Sequence, residues 1–325
     1  MNPLHEKQAR VVAVALNPAL DHTLEICGLR MGQVNRGLRM QVDVGGKGIN
    51  VASCLADFGI TSVITGQIGR ENAAPFETLF HAKGIANRFF YLDGLTRTNT
   101  KLVDRASGET TDINMPGPLL EPQAIQTLLD RLLDRMDSLV SPGSWVVACG
   151  SLPPQWPADT YARLIRHVHG LGAHVLLDAS GAPLAEGIAA APEIIKPNQT
   201  ELSELIGRPL GDTASVVAAA RELLARPDAP GTVIISMGGE GALFVNRQEA
   251  LLAAPIPTEM ISTVGAGDAM VAGIVAARIA NLTLADSARL ATAFAAGKLG
   301  RLGPHLPAAD TVRALALMVQ ISSLS

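Results

Sequence analysis

Short runs of apolar, often β-branched residues alternate with helical stretches along most of this chain of 325 residues. The predicted strands are residues 11–16, 62–65, 144–149, 174–178, 193–196, 232–236 and 242–245. The predicted helices are residues 49–58, 73–82, 123–139, 158–168 and 213–225. This alternation is typical of a mainly parallel sheet with helices on both faces. It predicts a doubly wound α/β core that binds its ligands where the strands end.

Two stretches, residues 21–44 and 88–115, interrupt this alternation. Neither contains a convincing helix, and both alternate polar with apolar residues, as in the run TNTKLV at residues 98–103. We predict that they form one small antiparallel sheet, which is too small to be stable alone. This sheet would be a lid on a core made of residues 11–20, 45–87 and 116–325. An apolar outer face of the lid would favour a homodimer.

The composition excludes several classes of protein. Apolar residues make up 48% of the chain and charged residues 17%, which indicates a globular protein. The net charge of −4 and the aromatic content of 3% give neither the basic surface nor the stacking side chains that nucleic acid requires. The three cysteines form no CxxC pair, which indicates reduced thiols. Without an apolar leader or an apolar run of the roughly 18 residues that span a membrane, the sequence predicts a cytoplasmic protein with no membrane partner.

The segment STVGAGD precedes a predicted helix over residues 269–280. Gly265, Ala266 and Gly267 leave backbone N–H groups open to a ligand, and the helix dipole adds positive charge, so the segment predicts an anion site. A carboxylate beside a bound phosphate is unfavourable unless it accepts the proton of a hydroxyl that attacks the phosphate. The segment therefore predicts phosphoryl transfer, with Asp268 as the catalytic base. The alternative is that Asp268 only caps the helix.

A second glycine-rich segment, DVGGKGIN, lies where the first lid stretch leads into a helix. Gly45 and Gly46 allow a polyhydroxy ligand to approach the backbone, and Asn50 can both donate and accept hydrogen bonds. Asp21, in the segment NPALD just past the first strand, suits a sugar hydroxyl. The alternatives are a glycine-rich hinge with an incidental Lys47, and a turn aspartate.

Three further segments follow predicted strands. In KPNQTE, Asn198 and Glu201 lie three residues apart at a helix start, which suits a magnesium ion held partly through water. A helix-capping pair is the alternative. The turn SMGGEG could admit a nucleotide ribose and phosphate, or it could be a simple hairpin. Ser151, in GSLPP, could place a hydroxyl near the substrate or belong to a rigid turn.

STVGAGD resembles the C-terminal signature of the PfkB (ribokinase-like) family of carbohydrate kinases. NPALD, GGKGIN and the N-x-x-E motif of KPNQTE resemble other motifs of this family, and the resemblance covers about residues 11–317. Within the family, the chain is most similar to the branch that phosphorylates sugar phosphates, with further likeness in GIANRF, TRTNTKL and TDIN. The chain departs from the pattern at Gln155, where glycine is usual.

The resemblance implies a ribokinase-like αβα core with a small β-sheet lid, and an enzyme that uses ATP and Mg²⁺. The implied reaction converts a ketohexose phosphate, first of all fructose 1-phosphate, to fructose 1,6-bisphosphate, with Asp268 as base. The residues implied to bind the sugar are Asp21, Gly45, Gly46, Asn50 and Ser151. Because a sugar phosphate needs cations for its dianion, its phosphate is assigned to Arg36, Lys47 and Arg97. The implied nucleotide site comprises Lys196, Asn198, Ser236, Gly238, Gly241, Thr263, Gly265 and Gly267, with Mg²⁺ on Asn198 and Glu201.

Other functions remain open from the sequence. Tagatose-6-phosphate kinase and 6-phosphofructokinase of the same family share many of these motifs. A non-catalytic regulator that binds a sugar phosphate on the same fold would tolerate the loss of Asp268, so the presence of this residue argues against it. A Rossmann oxidoreductase is excluded because no G-x-G-x-x-G follows the first strand.

Overall fold

The computed structural model describes residues 9–258, 260, 262–301 and 303–324. Its strands are β1 (Val11–Ala15), β2 (Ala19–Ile26), β3 (Arg39–Gly45), β4 (Val63–Gly69), β5 (Ala86–Leu92), β6 (Thr98–Asp104), β7 (Thr110–Ile113), β8 (Trp145–Cys149), β9 (His174–Asp178), β10 (Ile194–Ile195), β11 (Thr232–Ser236), β12 (Ala242–Asn246), β13 (Ala250–Ala253) and β14 (Ile321–Leu324).

The helices lie between these strands in the order α1 (Lys47–Asp57), α2 (Ala74–Lys83), α3 (Pro122–Leu139), α4 (Thr160–Gly170), α5 (Gly181–Ile188), α6 (Gln199–Ile206), α7 (Thr213–Leu224), α8 (Ala266–Ile279), α9 (Leu284–Leu299) and α10 (Ala309–Met318). A short 3₁₀ turn, Gly238–Glu240, connects β11 to β12.

The large sheet has the strand order β14-β13-β12-β11-β10-β9-β8-β1-β4-β5. The strands from β11 to β5 in this order are parallel, and β12, β13 and β14 extend the sheet by antiparallel pairing. All residues of β1 and β8 are buried, as expected for central parallel strands that are covered on both faces. The predicted α/β class is therefore confirmed.

Helices cover both faces of this sheet and enclose two hydrophobic layers. One layer contains apolar residues of α3, α4, α5, α6 and α7, and the other contains those of α1, α8, α9 and α10. The aromatic side chains of α2 pack in a third cluster against the edge formed by β4 and β5. This arrangement leaves the carboxyl ends of the central strands open between the two helical layers.

The small sheet has the order β3-β2-β6-β7. Its outer pairs are antiparallel, but the central pair, β2 with β6, is parallel. The prediction of an antiparallel sheet is thus wrong at its centre. The physical reason lies in the connectivity: β1 and β5 run in the same direction, and the chain leaves the carboxyl end of each to enter the small sheet. The two departing strands therefore run side by side in parallel.

The small sheet begins and ends at residues other than those predicted for the lid. Residues 88–92 belong to β5 and pair with β4 in the large sheet, where Phe89 and Phe90 are buried. Residues 19–20 and Gly45, which were assigned to the core, are paired in the small sheet. The small sheet therefore includes residues 19–20 and Gly45 and excludes residues 88–92. Strand pairing sets these boundaries, and the start of the alternating pattern does not mark them.

The C-terminal part of the chain contains more structure than was predicted. The strand pair at residues 232–236 and 242–245 does not close the sheet, because β13 and β14 follow it. Helix α8 begins at Ala266 rather than at Ala269, so Asp268 lies in its first turn. Among the described residues, no helix combines the length and apolar character needed to cross a membrane. Cys27, Cys54 and Cys149 are free thiols.

Candidate active site

Several predicted site residues meet at the carboxyl edge of the large sheet, where α8 begins. Lys196 follows β10, and Ser236 ends the neighbouring strand β11. The first turn of α8 lies beside them, because a Cβ atom added at Gly267 would be 3.7 Å from Lys196 Nζ. This edge is where open parallel sheets bind their ligands.

Asp268 contacts a residue of the predicted sugar site. Its side chain is buried, and its Oδ2 accepts a hydrogen bond of 2.7 Å from Asn50 Nδ2 on α1. Within the described residues, no side chain caps the amides at the start of α8. The Asp268 carboxylate therefore contacts Asn50 of the predicted sugar site and makes no helix-capping contact among the described residues.

The surroundings of Asp268 alter its acidity. Burial raises the pKa of this carboxyl, and the nearby carboxylate of Asp178 raises it further. Lys47, the hydrogen bond from Asn50 and Lys196 act in the opposite direction, but the pKa remains above the ordinary value of 3.8. A carboxylate with a raised pKa is a better proton acceptor near neutral pH.

The loop before α8 turns into the helix at Gly265. Gly265 has a φ of +81°, a left-handed conformation that glycine adopts most readily. The first N–H groups of any helix have no acceptor within the helix, so this loop and the α8 N-terminus can face an anion. A Cβ atom at Gly265 would lie 3.3 Å from Lys298 Cε and 3.7 Å from Asn50 Nδ2. The positive φ, and not these contacts, is what favours glycine at this position.

Lys298 was not predicted as a site residue. It lies in the last turn of α9, is buried, and donates a hydrogen bond of 2.9 Å from its Nζ to the carbonyl oxygen of Arg301. Burial lowers its pKa, while the Cys54 thiol and the carboxylates of Asp268 and Asp43 favour its charge. The only signal in the sequence is a lysine within the apolar run AAGKLG, which indicates a buried cation but not its location.

Asp178 was also missed, and it binds two predicted site residues. It ends β9 and is 1% exposed, and its Oδ1 lies 3.2 Å from Lys47 Nζ and 3.4 Å from Lys196 Nζ. Burial opposes the charge of Lys47, but the attraction of Asp178 and other carboxylates keeps the pKa of this lysine above its ordinary value. The same reasoning that selected Asp21, an acidic residue just past a strand, could have selected Asp178.

Asn198 and Glu201 form a capping box at the start of α6. The Glu201 N–H donates to Asn198 Oδ1 and the Asn198 N–H donates to Glu201 Oε2, both at 2.8 Å. The capping alternative is therefore present in the structure. It uses one oxygen of each side chain, and the Glu201 carboxylate is close enough to favour the charge of Lys47. The second oxygen of Glu201 accepts no hydrogen bond within the described residues.

The turn between β11 and β12 lies next to this capping box. Asn198 and Ser236 pair in an isolated parallel bridge, and the Ser236 N–H donates to the Pro197 carbonyl at 3.2 Å. Gly238 has open space where a Cβ atom would be, whereas a Cβ atom at Gly241 would lie 2.1 Å from the Ala253 carbonyl oxygen. The turn is thus both a tight connection and a surface of bare backbone beside α6.

The small sheet and the loop before α8 enclose a cavity of about 590 Å³. Asp21, Asn50 and Thr263 line it, together with Lys298. Asp21 Oδ1 accepts a hydrogen bond of 2.9 Å from Asn99 Nδ2, and burial raises the pKa of this carboxyl. Two of the predicted sugar residues, Asp21 and Asn50, therefore line one cavity beside the small sheet.

Glycines hold Asp21 and its surroundings close together. A Cβ atom at Gly45 would lie 2.1 Å from Asp21 Oδ2, so a larger residue at this position would displace the carboxylate. Gly46 has a φ of +120°, and a Cβ atom there would lie 3.0 Å from Pro18 Cα. Ser151 lies on the other side of this region and accepts a hydrogen bond of 3.1 Å from Asn17 Nδ2.

The cations assigned to the sugar phosphate are not gathered on this cavity. Arg36 is exposed in the connection between β2 and β3, and makes no ion pair in the described part of the chain. Arg97 donates to the carbonyl oxygens of Asn17, Pro18 and Met115 at 2.7–3.2 Å. The basic side chains that line the cavity from the small sheet are instead Arg39 and Lys101.

The chain is similar to known proteins over nearly its whole length. The profile of the family described as "pfkB family carbohydrate kinase" matches residues 14–311. The chain is 45% identical over 316 residues to the 1-phosphofructokinase of Rhodobacter capsulatus, covering 97% of this chain and 98% of that one. It is 46% identical over 295 residues to the 1-phosphofructokinase of Xanthomonas campestris pv. campestris, with 89% and 91% covered. It is also similar to the structure of phosphofructokinase-2 from Escherichia coli in complex with fructose-6-phosphate, with a TM-score of 0.85, 27% identity and coverage of 96% and 99%.

Proposed function

This chain belongs to the pfkB family of carbohydrate kinases and is a sugar phosphate kinase of the phosphofructokinase type, and we propose that it transfers a phosphoryl group from ATP to O6 of fructose 1-phosphate. The product would be fructose 1,6-bisphosphate. The observation that carries this proposal is the contact between Asp268, at the N-terminus of α8, and Asn50, on the cavity beside the small sheet. This contact brings together a buried carboxylate, the glycine-containing loop before α8 and a polar cavity.

Asp268 is the proposed base. Asn50 donates to its Oδ2, which leaves Oδ1 for the attacking hydroxyl of the acceptor. As the hydroxyl oxygen bonds to the terminal phosphorus of ATP, the proton passes to Asp268 and the bond from phosphorus to ADP breaks. The raised pKa of Asp268 favours this proton transfer.

The backbone of Gly265, Ala266 and Gly267 is proposed to stabilise charge on the transferring group. Fixed N–H groups at a helix N-terminus require no reorganisation when negative charge develops. Lys196 adds a cation next to Gly267, and Asp178 holds Lys196 and Lys47 at the same oxygen. The second oxygen of Asp178 is buried and has no hydrogen-bond partner among the described residues.

The donors beside α6 fit the Mg²⁺ that this family implies. Mg²⁺ prefers oxygen ligands and retains several waters, so few protein ligands are needed. Glu201 has a carboxylate oxygen that the capping box does not use, and Asn198 and Ser236 lie next to it. We propose that Asn198 and Glu201 hold the ion, directly or through water. When bound, it neutralises charge on the phosphates of ATP.

The acceptor is proposed to bind in the cavity with Asp21, Asn50, Gly45 and Gly46 at its sugar ring and Ser151 nearby. The sequence assigns the acceptor's own phosphate to Arg36, Lys47 and Arg97, which would have to turn toward the cavity because they do not line it. A guanidinium has five N–H donors, so Arg97 keeps donors beyond those that contact the three carbonyls. The small sheet also contributes Arg39 and Lys101 to this cavity, where Lys101 forms an ion pair with Asp112.

A coupled assay of ADP release tests the acceptor. We expect the highest kcat/KM with fructose 1-phosphate, a lower value with fructose 6-phosphate and tagatose 6-phosphate, and the lowest with fructose. The comparison structure that binds fructose-6-phosphate makes 6-phosphofructokinase the second candidate. A higher kcat/KM with fructose 6-phosphate would establish that function instead.

Substitution of Asp268 tests the mechanism. Asp268→Asn keeps the shape of the side chain but cannot accept the proton, so kcat should fall by about 10²–10⁴, the usual contribution of a general base. Binding of ATP should change little. The control is Asp93→Asn, at a fully exposed carboxylate. A variant Asp268→Asn with more than about a tenth of the wild-type kcat would contradict the role of base.

A homodimer through the small sheet is also proposed. The inner face of β3 presents Arg39 and Gln41 to the cavity, whereas the alternate residues Met40 and Val42 point outward and are 59% and 43% exposed. Ile113 on β7 is exposed as well. An exposed apolar sheet face of this kind is covered most simply by a second copy related by a two-fold axis.

A further inference from the structure

A second cavity, of about 540 Å³, lies at the opposite edge of the large sheet. Its walls come from the residue before β1, the starts of β8 and β9, and the end of α8. They include Arg10, Trp145, His174, Arg278, Ile279 and Leu282. Helix α8 has 14 residues, so its two ends are about 20 Å apart at 1.5 Å per residue. The reaction proposed above, at the other end of α8, does not use this cavity.

Two guanidinium groups in this cavity lack an anionic partner. Within the described residues, neither Arg10 nor Arg278 forms an ion pair. The single hydrogen bond of each is long, at 3.4 Å, to the Ile279 carbonyl for Arg10 and to Thr232 Oγ1 for Arg278. The Nε atom of Arg278 is buried with no acceptor among the described residues. Burial also lowers the pKa of Arg278, so its charge is poorly solvated.

Among the described residues, no carboxylate lines the cavity. Glu193 lies next to one wall residue, with its oxygens 3.4 Å from His174 Nδ1 and 3.3 Å from His169 Nε2. Glu193 also accepts a backbone hydrogen bond from Val175. It is therefore already bound to other groups. A buried donor without an acceptor is unfavourable, and an anion in the cavity would satisfy it.

We propose that this cavity is a second binding site, for an organic phosphate whose phosphate group lies between Arg10 and Arg278. A guanidinium binds phosphate oxygens through two parallel N–H donors, and two guanidinium groups line this cavity. The organic part of the ligand would lie against the tilted pair of Trp145 and His174, whose ring centroids are 5.1 Å apart. Ile279 continues this wall with apolar surface. A ring-bearing phosphate fits these walls better than a bare ion.

The fluorescence of Trp145 can report binding directly. The chain has two tryptophans, so Trp156→Phe leaves Trp145 as the single reporter. We expect phenyl phosphate to change its emission saturably, inorganic phosphate to bind more weakly, and phenol to have no effect. Because the reporter lies at the amino edge of the sheet, binding at the candidate active site should leave its emission unchanged.

Substitution of the arginines tests the assignment. Arg10→Gln and Arg278→Gln should each weaken binding of phenyl phosphate by about tenfold or more, as expected for a hydrogen bond to a charged group. Arg247→Gln, at an exposed arginine on the β12–β13 connection, is the matched control and should bind normally. Arg10 is exposed, so Arg10→Gln should fold. That variant tests the assignment even if Arg278→Gln does not fold.

Three results would overturn the proposal. The first is the absence of a saturable change, both in Trp145 emission and in a calorimetric titration of the unsubstituted chain with phenyl phosphate. The second is an unchanged affinity in Arg10→Gln. The third is inorganic phosphate that binds as tightly as phenyl phosphate, which would remove the role of the aromatic wall.

Discussion

The contact of Asp178 with two lysines can be tested by removing a single charge. Asp178→Asn keeps the shape of the side chain and its place at the end of β9. It leaves Lys47 and Lys196 without the carboxylate oxygen that now lies 3.2 and 3.4 Å from their Nζ atoms. If this carboxylate is what allows two cations to sit at the sheet edge, the variant should lose stability and change the acidity of Asp268.

The exposure of the two lysines determines how much stability the Asp178→Asn variant should lose. Removing one partner of a buried ion pair costs about 3–5 kcal/mol, because the other charge is left uncompensated. The Lys196 side chain is 5% exposed and cannot turn toward water, so it experiences most of this effect. The Lys47 side chain is 35% exposed and can move into solvent, so its share is small. We therefore expect Asp178→Asn to lower the free energy of unfolding by about 3 kcal/mol.

Urea unfolding without ligands measures this loss. The control is Asp93→Asn, because Asp93 is fully exposed and its contact with Arg70 is long, at 3.7 Å. That variant should unfold at the wild-type urea concentration. If Asp178→Asn lies within about 1 kcal/mol of the wild type, the buried pair is not what stabilises this edge of the sheet.

The same variant should move the acid limb of the pH profile. Burial and the Asp178 carboxylate raise the pKa of Asp268, so wild-type kcat/KM should fall as the pH drops through a value above 3.8. Without Asp178, the protonated form of Asp268 is favoured less, and the two lysines favour its ionised form more. The acid limb of the remaining activity should therefore shift to lower pH. A shift to higher pH would refute the role assigned to Asp178.

Three further predictions concern the acceptor site, the metal and the assembly. Gly45→Ala forces the Asp21 carboxylate to move, so KM for the sugar phosphate should rise by about 10- to 100-fold. The control is Gly170→Ala, at a glycine with open space, which should leave this KM unchanged. Glu201→Ala should raise the Mg²⁺ concentration needed for half-maximal rate, with little change in KM for the sugar phosphate. An unchanged Mg²⁺ titration would leave this residue only its capping role. Light scattering should show a dimer that Met40→Asp converts to a monomer, and a monomeric wild type would exclude the proposed interface.

Local features of the sequence were sufficient for part of the site. The glycine at the N-terminus of α8 and the aspartate three residues later lie in one short segment, so their place at a helix start could be predicted without knowing the fold. The capping box of Asn198 and Glu201 was equally visible, because its atoms lie within one helical turn. The small sheet was also detectable, since alternation of polar and apolar residues is a local property.

Features that depend on the order of strands could not be inferred in this way. Asp178 becomes a partner of Lys47 only because β9 lies between β8 and β10 in the sheet. Lys298 reaches the anion loop because α9 packs along α8, although about 30 residues separate it from Asp268 in the chain. The parallel pairing of β2 with β6 follows from the positions of β1 and β5, which the sequence pattern does not specify.

The geometry of the candidate base therefore depends on packing between helices as much as on the motif that contains it. A Cβ atom at Gly48 would lie 2.8 Å from the Val14 carbonyl oxygen, so glycine lets α1 approach β1. A Cβ atom at Gly273 would lie 2.7 Å from Ala291 Cα, so glycine also lets α8 approach α9. Helices α1 and α8 also pack against each other, and Asn50 lies within hydrogen-bond distance of Asp268 across this contact. The motif supplies the carboxylate and the amides, and the close packing that Gly48 and Gly273 permit fixes the elements that carry them.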